Sequence, residues 1–377
     1  MVAGRAPRYS VPVVADLDGD GAQDVAWWNG APNSRDPAWF SRGQGSFVTA
    51  RNFDVPVAEG YWLVRGRFNG DSRDDLLLYG IGTRPDFVLR GRDRNGWAAA
   101  PIPQIGGDLF PIAGDFDGNG VTDIVFYNNR GDRDTVWLFR ARGTVRQTTA
   151  AIGSRYNWFT VGDFDGNRRD ELLFGYSDGA RPPRISNTIS GFRSRLVNSV
   201  PGAFPFAAQF DDDPAEDLLW FGPGSAADGI VYNGEWGVLT RITAAGNVEP
   251  LVANFTADSA THSDVLWWAI SSASDRFSIG GPPDGLTAVP YEHAHIDWRS
   301  NLAGIARFQS TRHSNGAEVL YVNPLTGAVV VALSIDRDGA TAPTGLALNP
   351  TDRDRGIPAA RGSVHRLDGP ARLPGGR

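Results

Sequence analysis

Four aspartates fall within the nine positions 16–24, inside the segment VADLDGDGAQDVAWW (14–28), and the arrangement returns six more times along the chain. The later copies are RGRFNGDSRDDLLLY from Arg65, AGDFDGNGVTDIVFY from Ala113, VGDFDGNRRDELLFG from Val161 and AAQFDDDPAEDLLWF from Ala207. Two worn copies follow, ANFTADSATHSDVLWW from Ala253 and ARFQSTRHSNGAEVLYV from Ala306, with two and three residues inserted before the last acid. The apolar residue inside each loop marks the register: Leu17, Phe68, Phe116, Phe164, Phe210, Phe255 and Phe308, at intervals of 45 to 53 residues. A self-similar period of this length constrains the fold more than any other feature, because each unit must be one supersecondary element stacked on its neighbours.

Two further columns support the register. Two residues before each anchor stands a small residue (Ala15, Gly66, Gly114, Gly162, Ala208, Ala253, Ala306), and three after each final acid a bulky one (Trp27, Leu78, Phe126, Phe174, Trp220, Trp267, Tyr321). Each unit reads as a strand ending in the small residue, the acidic loop, and a second strand such as DIVFY. A third such as TVWLF (135–139) and a fourth such as GTVRQTTA (143–150) follow. Four antiparallel strands in about 48 residues make one propeller blade. The expectation is an all-β, seven-bladed β-propeller of four-stranded antiparallel blades over residues 9–349, with residues 350–377 an Arg/Gly/Pro-rich disordered tail. Gly and crowded inner strands belong together near a central channel, and the bulky column fills the space between twisted sheets. No window repeats apolar residues at helical spacing, which excludes a helical catalytic domain.

Charge and composition exclude several function classes. The net charge is −7, and all 36 basic residues are arginine, so neither nucleic acid nor an anionic membrane is the expected main partner. Without cysteine there is no disulfide, zinc-thiolate or thiol nucleophile. No stretch approaches a membrane span. The first residues, MVAGRAPR, lack the apolar region of a signal peptide, so export would need a leader removed beforehand or a non-classical route.

In the first loop the acids occupy positions 1, 3, 5 and 9: Asp16, Asp18, Asp20 and Asp24. Side chains alternating from a tight turn converge, the carbonyl of Ala22 at position 7 adds an oxygen, and such a set of hard oxygens suits calcium. The third loop is equally complete, with Asp115, Asp117, Asn119, Val121 (carbonyl) and Asp123; the fourth has Asp163, Asp165, Asn167, Arg169 (carbonyl) and Glu171. Position 12 is Trp27, Phe126 or Phe174 where an EF-hand needs glutamate, so these are hairpin-borne loops. About three structural Ca2+ sites are expected, as staples of the blades. In loop two position 1 is Arg67, facing Asn69, Asp71 and Asp75, and its guanidinium is expected to replace the ion; Arg307 with Glu318 is the same substitution in repeat seven. Loop five, with Gln209, Asp211, Asp213, Asp217 and Pro214, is a weaker metal candidate. Loop six, with Asn254, Thr256 and His262, is expected to be empty.

These F-D-G-N-G-x-x-D-I/L units resemble the FG-GAP or VCBS-type repeats of integrin α-subunit propellers and of bacterial and fungal propeller lectins. The resemblance spans about 9–349 and is strong in repeats one to five. It implies a seven-bladed propeller with calcium in the inter-strand loops and a role in adhesion or ligand binding outside the cell.

Other features carry weaker expectations. Asp36, Asp86, Asp134, Asp228 and Asp275 form a column read as caps on the turn into strand three, over a solvent-facing ligand ring. Trp62, Phe110, Trp158 and Phe204 are expected as inter-blade core, with sugar-stacking platforms the alternative. Residues 175–179 match G-x-S-x-G without the strand-to-helix elbow a hydrolase needs. In YEHAHIDW (291–298), Tyr291, His293 and His295, with Glu292 and Asp297 nearby, resemble the acid and base residues of some polysaccharide lyases, which are also propellers. The reading is a calcium-stabilised, non-enzymatic binding propeller for an extracellular glycan or protein, at the cell surface or secreted, with a cytoplasmic location still open. The alternatives are a polysaccharide lyase and a structural or display module.

Overall fold

The computed structural model describes residues 11–28, 36–42, 47–50 and most of 60–254, then 262–269 and the strand residues 276–279, 287–289, 301–306, 318–322, 329–332 and 365–366. These form a β-propeller of antiparallel sheets, one per repeat, each built from strands consecutive in the chain. Repeats one, two, three, five and six are four-stranded blades; five such blades, rather than the expected seven, are present among the described residues. Repeat four has its own four strands and a fifth, and repeat seven shows three. Repeat three shows the pattern: Phe110–Gly114, Asp123–Tyr127, Asp134–Arg140 and Thr144–Ala150, paired in that order.

From repeat two to repeat seven the inner strands adjoin in chain order, and that of repeat one (Val11–Ala15) adjoins that of repeat seven (Asn301–Ala306). The tail expectation needs one correction. His365–Arg366 pairs antiparallel with Trp158–Phe159 on the inner edge of repeat four, because an inner strand leaves one row of backbone groups unpaired. The rest of 350–377 lies outside the described residues.

Packing follows the columns. A Cβ on Gly114 would stand 2.7 Å from Val161 Cγ1 of the next inner strand, and one on Gly66 2.7 Å from Thr122 Cγ2 of the next repeat, so a side chain here would push neighbouring sheets apart. Second strands such as Asp123–Tyr127 are buried throughout, as expected for a sheet covered on both faces. The bulky column meets aromatics across and within blades: Phe126 with Tyr79 at 5.1 Å, Trp27 with Trp39 at 4.8 Å. Each such ring withdraws about 150–250 Å2 from water. Trp62, Phe110 and Trp158 are buried too, with Trp62 and Phe110 edge to face at 5.5 Å, which makes their column core. The capping column is equally architectural: buried Asp134 accepts from Asn128 N at 2.8 Å and Ile152 N at 2.9 Å, and Asp86 from Gly80 N and Ile105 N.

Candidate metal centres

The acidic loops owe their shape to backbone conformation. Positions 4 and 6 are left-handed, at Gly19 and Gly21, Gly118 and Gly120, and Gly166 with Arg168, which reverses the chain tightly enough to aim positions 1, 3 and 9 inward. In loop one, Asp16 accepts from Gly19 N and Gly21 N; in loop three, Asp115 accepts from Gly118, Asn119 and Gly120; in loop four, Asp163 accepts from Asn167 and Arg168. The ninth residue is a buried brace. Asp24 takes Leu17 N at 2.9 Å and Ser41 N at 2.8 Å, tying the loop to strand three, and Asp123 does the same with Asp117 N and Phe139 N. Glu171 accepts from Phe164 N.

Three carboxylate groups result, Asp16/Asp18/Asp24, Asp115/Asp117/Asp123 and Asp163/Asp165/Glu171, each with one oxygen per residue within 4.8 Å of the others. These are positions 1, 3 and 9 of the three loops expected to hold metal. Position 5 is placed differently: Asp20, Asn119 and Asn167 each turn an oxygen to the backbone N–H of position 7, at Ala22, Val121 and Arg169. An Asx-type turn thus competes for that ligand.

Burial raises the acids strongly. Asp24, Asp123 and Glu171 are each pushed up to about 8, first by desolvation and then by like-charged neighbours in the loop, against the pull of their backbone hydrogen bonds; Asp16 rises to about 6 for the same leading reason. Two position-3 oxygens, Asp18 Oδ1 and Asp117 Oδ1, are buried with no hydrogen-bond partner, and the Asp18 side chain is only 9% exposed. Its other oxygen takes Arg94 of repeat two at 3.1 Å. Converging hard oxygens, two of them orphaned, fit a divalent cation, which would relieve both the repulsion and the missing contacts.

Loop two corrects one expectation. Arg67 pairs with Oδ1 of Asp74, the eighth residue of its own loop, at 3.4 Å, while Asn69 Nδ2 donates to Asp71 at 3.0 Å. The guanidinium does not stand in for an ion there; its attraction to the adjoining carboxylate outside the ligand positions wins. In loop five, Asp211, Asp213 and Asp217 do not come together as a group among the described residues. Asn254 and His262 of loop six are described, and His262 is buried; Thr256, Arg307, Asp275, residues 177–179 of the G-x-S-x-G match, and Tyr291, Glu292, His293, His295 and Asp297 lie outside the described residues.

One set of contacts is absent from the sequence reading. The eighth loop residue of one repeat clasps the first loop residue of the repeat before it, backbone to backbone and side chain to backbone. Asp74 N donates to Asp16 O at 2.7 Å and Asp16 N to Asp74 Oδ2 at 2.9 Å. Thr122 and Arg67 repeat this through a hydroxyl (3.0 Å both ways), and Asp170 and Asp115 through a carboxylate at 2.9 and 2.7 Å. Glu216 N reaches Asp163 O, and Ser263 N reaches Gln209 O. The signal was a column reading Asp74, Thr122, Asp170, Glu216, Ser263, residues that share only an acceptor oxygen.

Residues 115–174, which hold the acid groups of loops three and four, match a family model described as FG-GAP-like repeat. The chain carries an FG-GAP-like repeat. No curated protein matches it. Among solved structures it is similar to the exotype rhamnogalacturonan lyase YesX, with a TM-score of 0.46 at 11% identity over 89% of this chain and 74% of that one. It is also similar to a functionally unknown protein from Desulfotomaculum acetoxidans DSM 771, with a TM-score of 0.48 at 11% identity over 84% and 96%. Neither likeness bears on activity. No helix of the described residues is long and apolar enough to cross a membrane.

Proposed function

We propose that this chain is a calcium-stabilised binding propeller of seven repeats that recognises a glycan or protein outside the cell, in the manner of adhesion or lectin propellers. The observation that carries the metal part is the same three-carboxylate group at positions 1, 3 and 9 of loops one, three and four, with buried unpartnered oxygens at Asp18 and Asp117. Calcium is the cation that accepts many oxygens in irregular geometry, and protein loops of oxygen ligands can be tuned to fill at extracellular concentrations. The role is structural: the ninth residues of loops one and three brace strand three of their repeats, and that of loop four braces its own loop. Asp16, Asp24, Asp75, Asp117, Asp123 and Glu171, which burial pushes up, lie in the acidic loops and Asp86 in a turn cap, so these acids serve the scaffold. Recognition is then left to surfaces the repeat does not standardise.

A glycan array probed with the calcium-loaded protein and with chelated protein tests this reading. Calcium-dependent hits are expected; an array blank under both conditions overturns the sugar-binding version. Release of unsaturated, ultraviolet-absorbing ends from a uronic-acid polymer, lost on His293→Ala, would instead make the chain a lyase.

A further inference from the structure

Loop five has the acids of a metal loop and does not gather them. Its first position is Gln209, whose side chain folds back into its own loop. The amide Nε2 donates to the carbonyl of Ala215 at position 7, at 2.9 Å, and to that of Asp213 at position 5, while Oε1 accepts from Asp211 N at 3.2 Å. Two bonds of the acid loops recur: Ala215 N donates to Asp213 Oδ1 at 2.8 Å, as Ala22 N does to Asp20, and Phe210 N donates to the brace Asp217 at 2.7 Å. Position 6 is Pro214, whose ring holds φ negative where the acid loops are left-handed, so these bonds persist on a different turn with a different first residue.

The position-7 carbonyl is the backbone oxygen that an ion bound by positions 1, 3 and 9 would draw on, and in loop five an N–H donor already occupies it. An amide group supplies two donors and no charge, so it satisfies inward-facing carbonyls without pulling carboxylates together. This matches the separation of Asp211, Asp213 and Asp217. Loop two reaches a related end by another amide, Asn69 Nδ2 on Asp71.

We infer that Gln209 is a built-in substitute for the cation: its amide closes loop five where calcium closes loops one, three and four, so the first loop position decides whether a repeat needs metal. This rests on the metal reading above for the loops it is contrasted with. The test measures bound calcium by equilibrium dialysis and melting temperature with and without chelator, for the whole chain and for Gln209→Ala and Gln209→Asp. The unaltered chain is expected to bind three ions, matching the three groups. Gln209→Ala should still bind three and melt about 2–4 °C lower by the same amount with and without metal, since the lost bonds are internal. Gln209→Asp should bind one ion more and recover its melting temperature only in calcium. A fourth ion on the unaltered chain that Asp213→Asn removes, an unshifted Gln209→Ala, or no added ion on Gln209→Asp each overturns the inference. If the unaltered chain binds no calcium, the metal reading fails, and the Gln209→Ala shift still decides whether the amide holds the loop.

Discussion

Calcium binding should be coupled to proton release, by an amount set by the buried braces. Without metal, Asp24, Asp123 and Glu171 sit near 8, so at pH 7 each is about nine-tenths protonated. A cation that gathers the loop requires the ionised form, so filling each loop at pH 7 expels close to one proton, and affinity falls about tenfold per loop from pH 7 to 6 while levelling above 8. The sign for folding follows the same shift. These acids hold their proton more tightly folded than unfolded, where they return to 3.8 or 4.5. The metal-free protein is therefore most stable below about pH 4, loses stability as pH rises through the interval up to about 8, and is flat beyond. At about 1.4 kcal/mol per unit the loss amounts to a few kcal/mol per loop. Saturating calcium reverses the slope, since bound metal favours the ionised state. Isothermal titration calorimetry in two buffers of different ionisation enthalpy counts the protons, and melting curves from pH 5 to 8.5 with calcium or chelator give the slopes. Titration heats at pH 7 independent of the buffer, or chelated protein that grows more stable toward pH 8, would refute the reasoning.

Asp170→Ala should destabilise by about 1–3 kcal/mol in urea melts, because Asp115 N loses its acceptor, with most of that restored by Asp170→Asn. Gly114→Val should cost about 1–3 kcal/mol in the same measurement, from overlap with Val161 and Phe116 and without any backbone strain. Asp134→Ala leaves the amides of Asn128 and Ile152 unpaired and should lower stability by about 2–6 kcal/mol, read by thermal unfolding with no change in calcium binding.

What could be read from the sequence was whatever recurs as a residue type. The acids at positions 1, 3 and 9 of loops one, three and four, the small column at Gly66 and Gly114, and the buried aromatics at Trp62, Phe110 and Trp158 act alike in the copies that carry them, so their chemistry shows through the register. The inter-repeat clasp was hidden because its requirement is an oxygen, which Asp74, Thr122 and Ser263 all supply while looking unrelated, and because its partners are about one repeat apart in sequence. Arg67 misled for a different reason: a guanidinium at a ligand position has more than one carboxylate within its own loop to choose from, and only the folded turn shows that Asp74 is the one at 3.4 Å. The role of Gln209 depends on which end of its amide faces inward, which no residue count conveys. The number of complete four-stranded blades was likewise beyond the pattern, since the outer strands carry little of the repeat.

The clasp and the metal loops act on the same residue, and this has a consequence for how the ring holds together. Position 1 offers its side chain to the acid group and its backbone to the next repeat: Asp16 to Asp74, Asp115 to Asp170, Asp163 to Glu216. Calcium fixing the side chain would also steady the backbone carbonyl that the next repeat grips, so on the proposed reading the ion would staple junctions between repeats as well as the loop inside one. Loops two and five give the control, because Arg67 and Gln209 make the same backbone clasp to Thr122 and Ser263 without a three-carboxylate group behind them among the described residues. Hydrogen exchange followed residue by residue should therefore show the amides of Asp74, Asp170 and Glu216 exchanging about tenfold faster or more after chelation, a loss of about 1.4 kcal/mol of local protection, while those of Thr122 and Ser263 stay unchanged. Equal acceleration at all five would mean that calcium stabilises the ring as a whole; acceleration at none would mean that the clasps hold without it, and the metal would then serve its own loop alone.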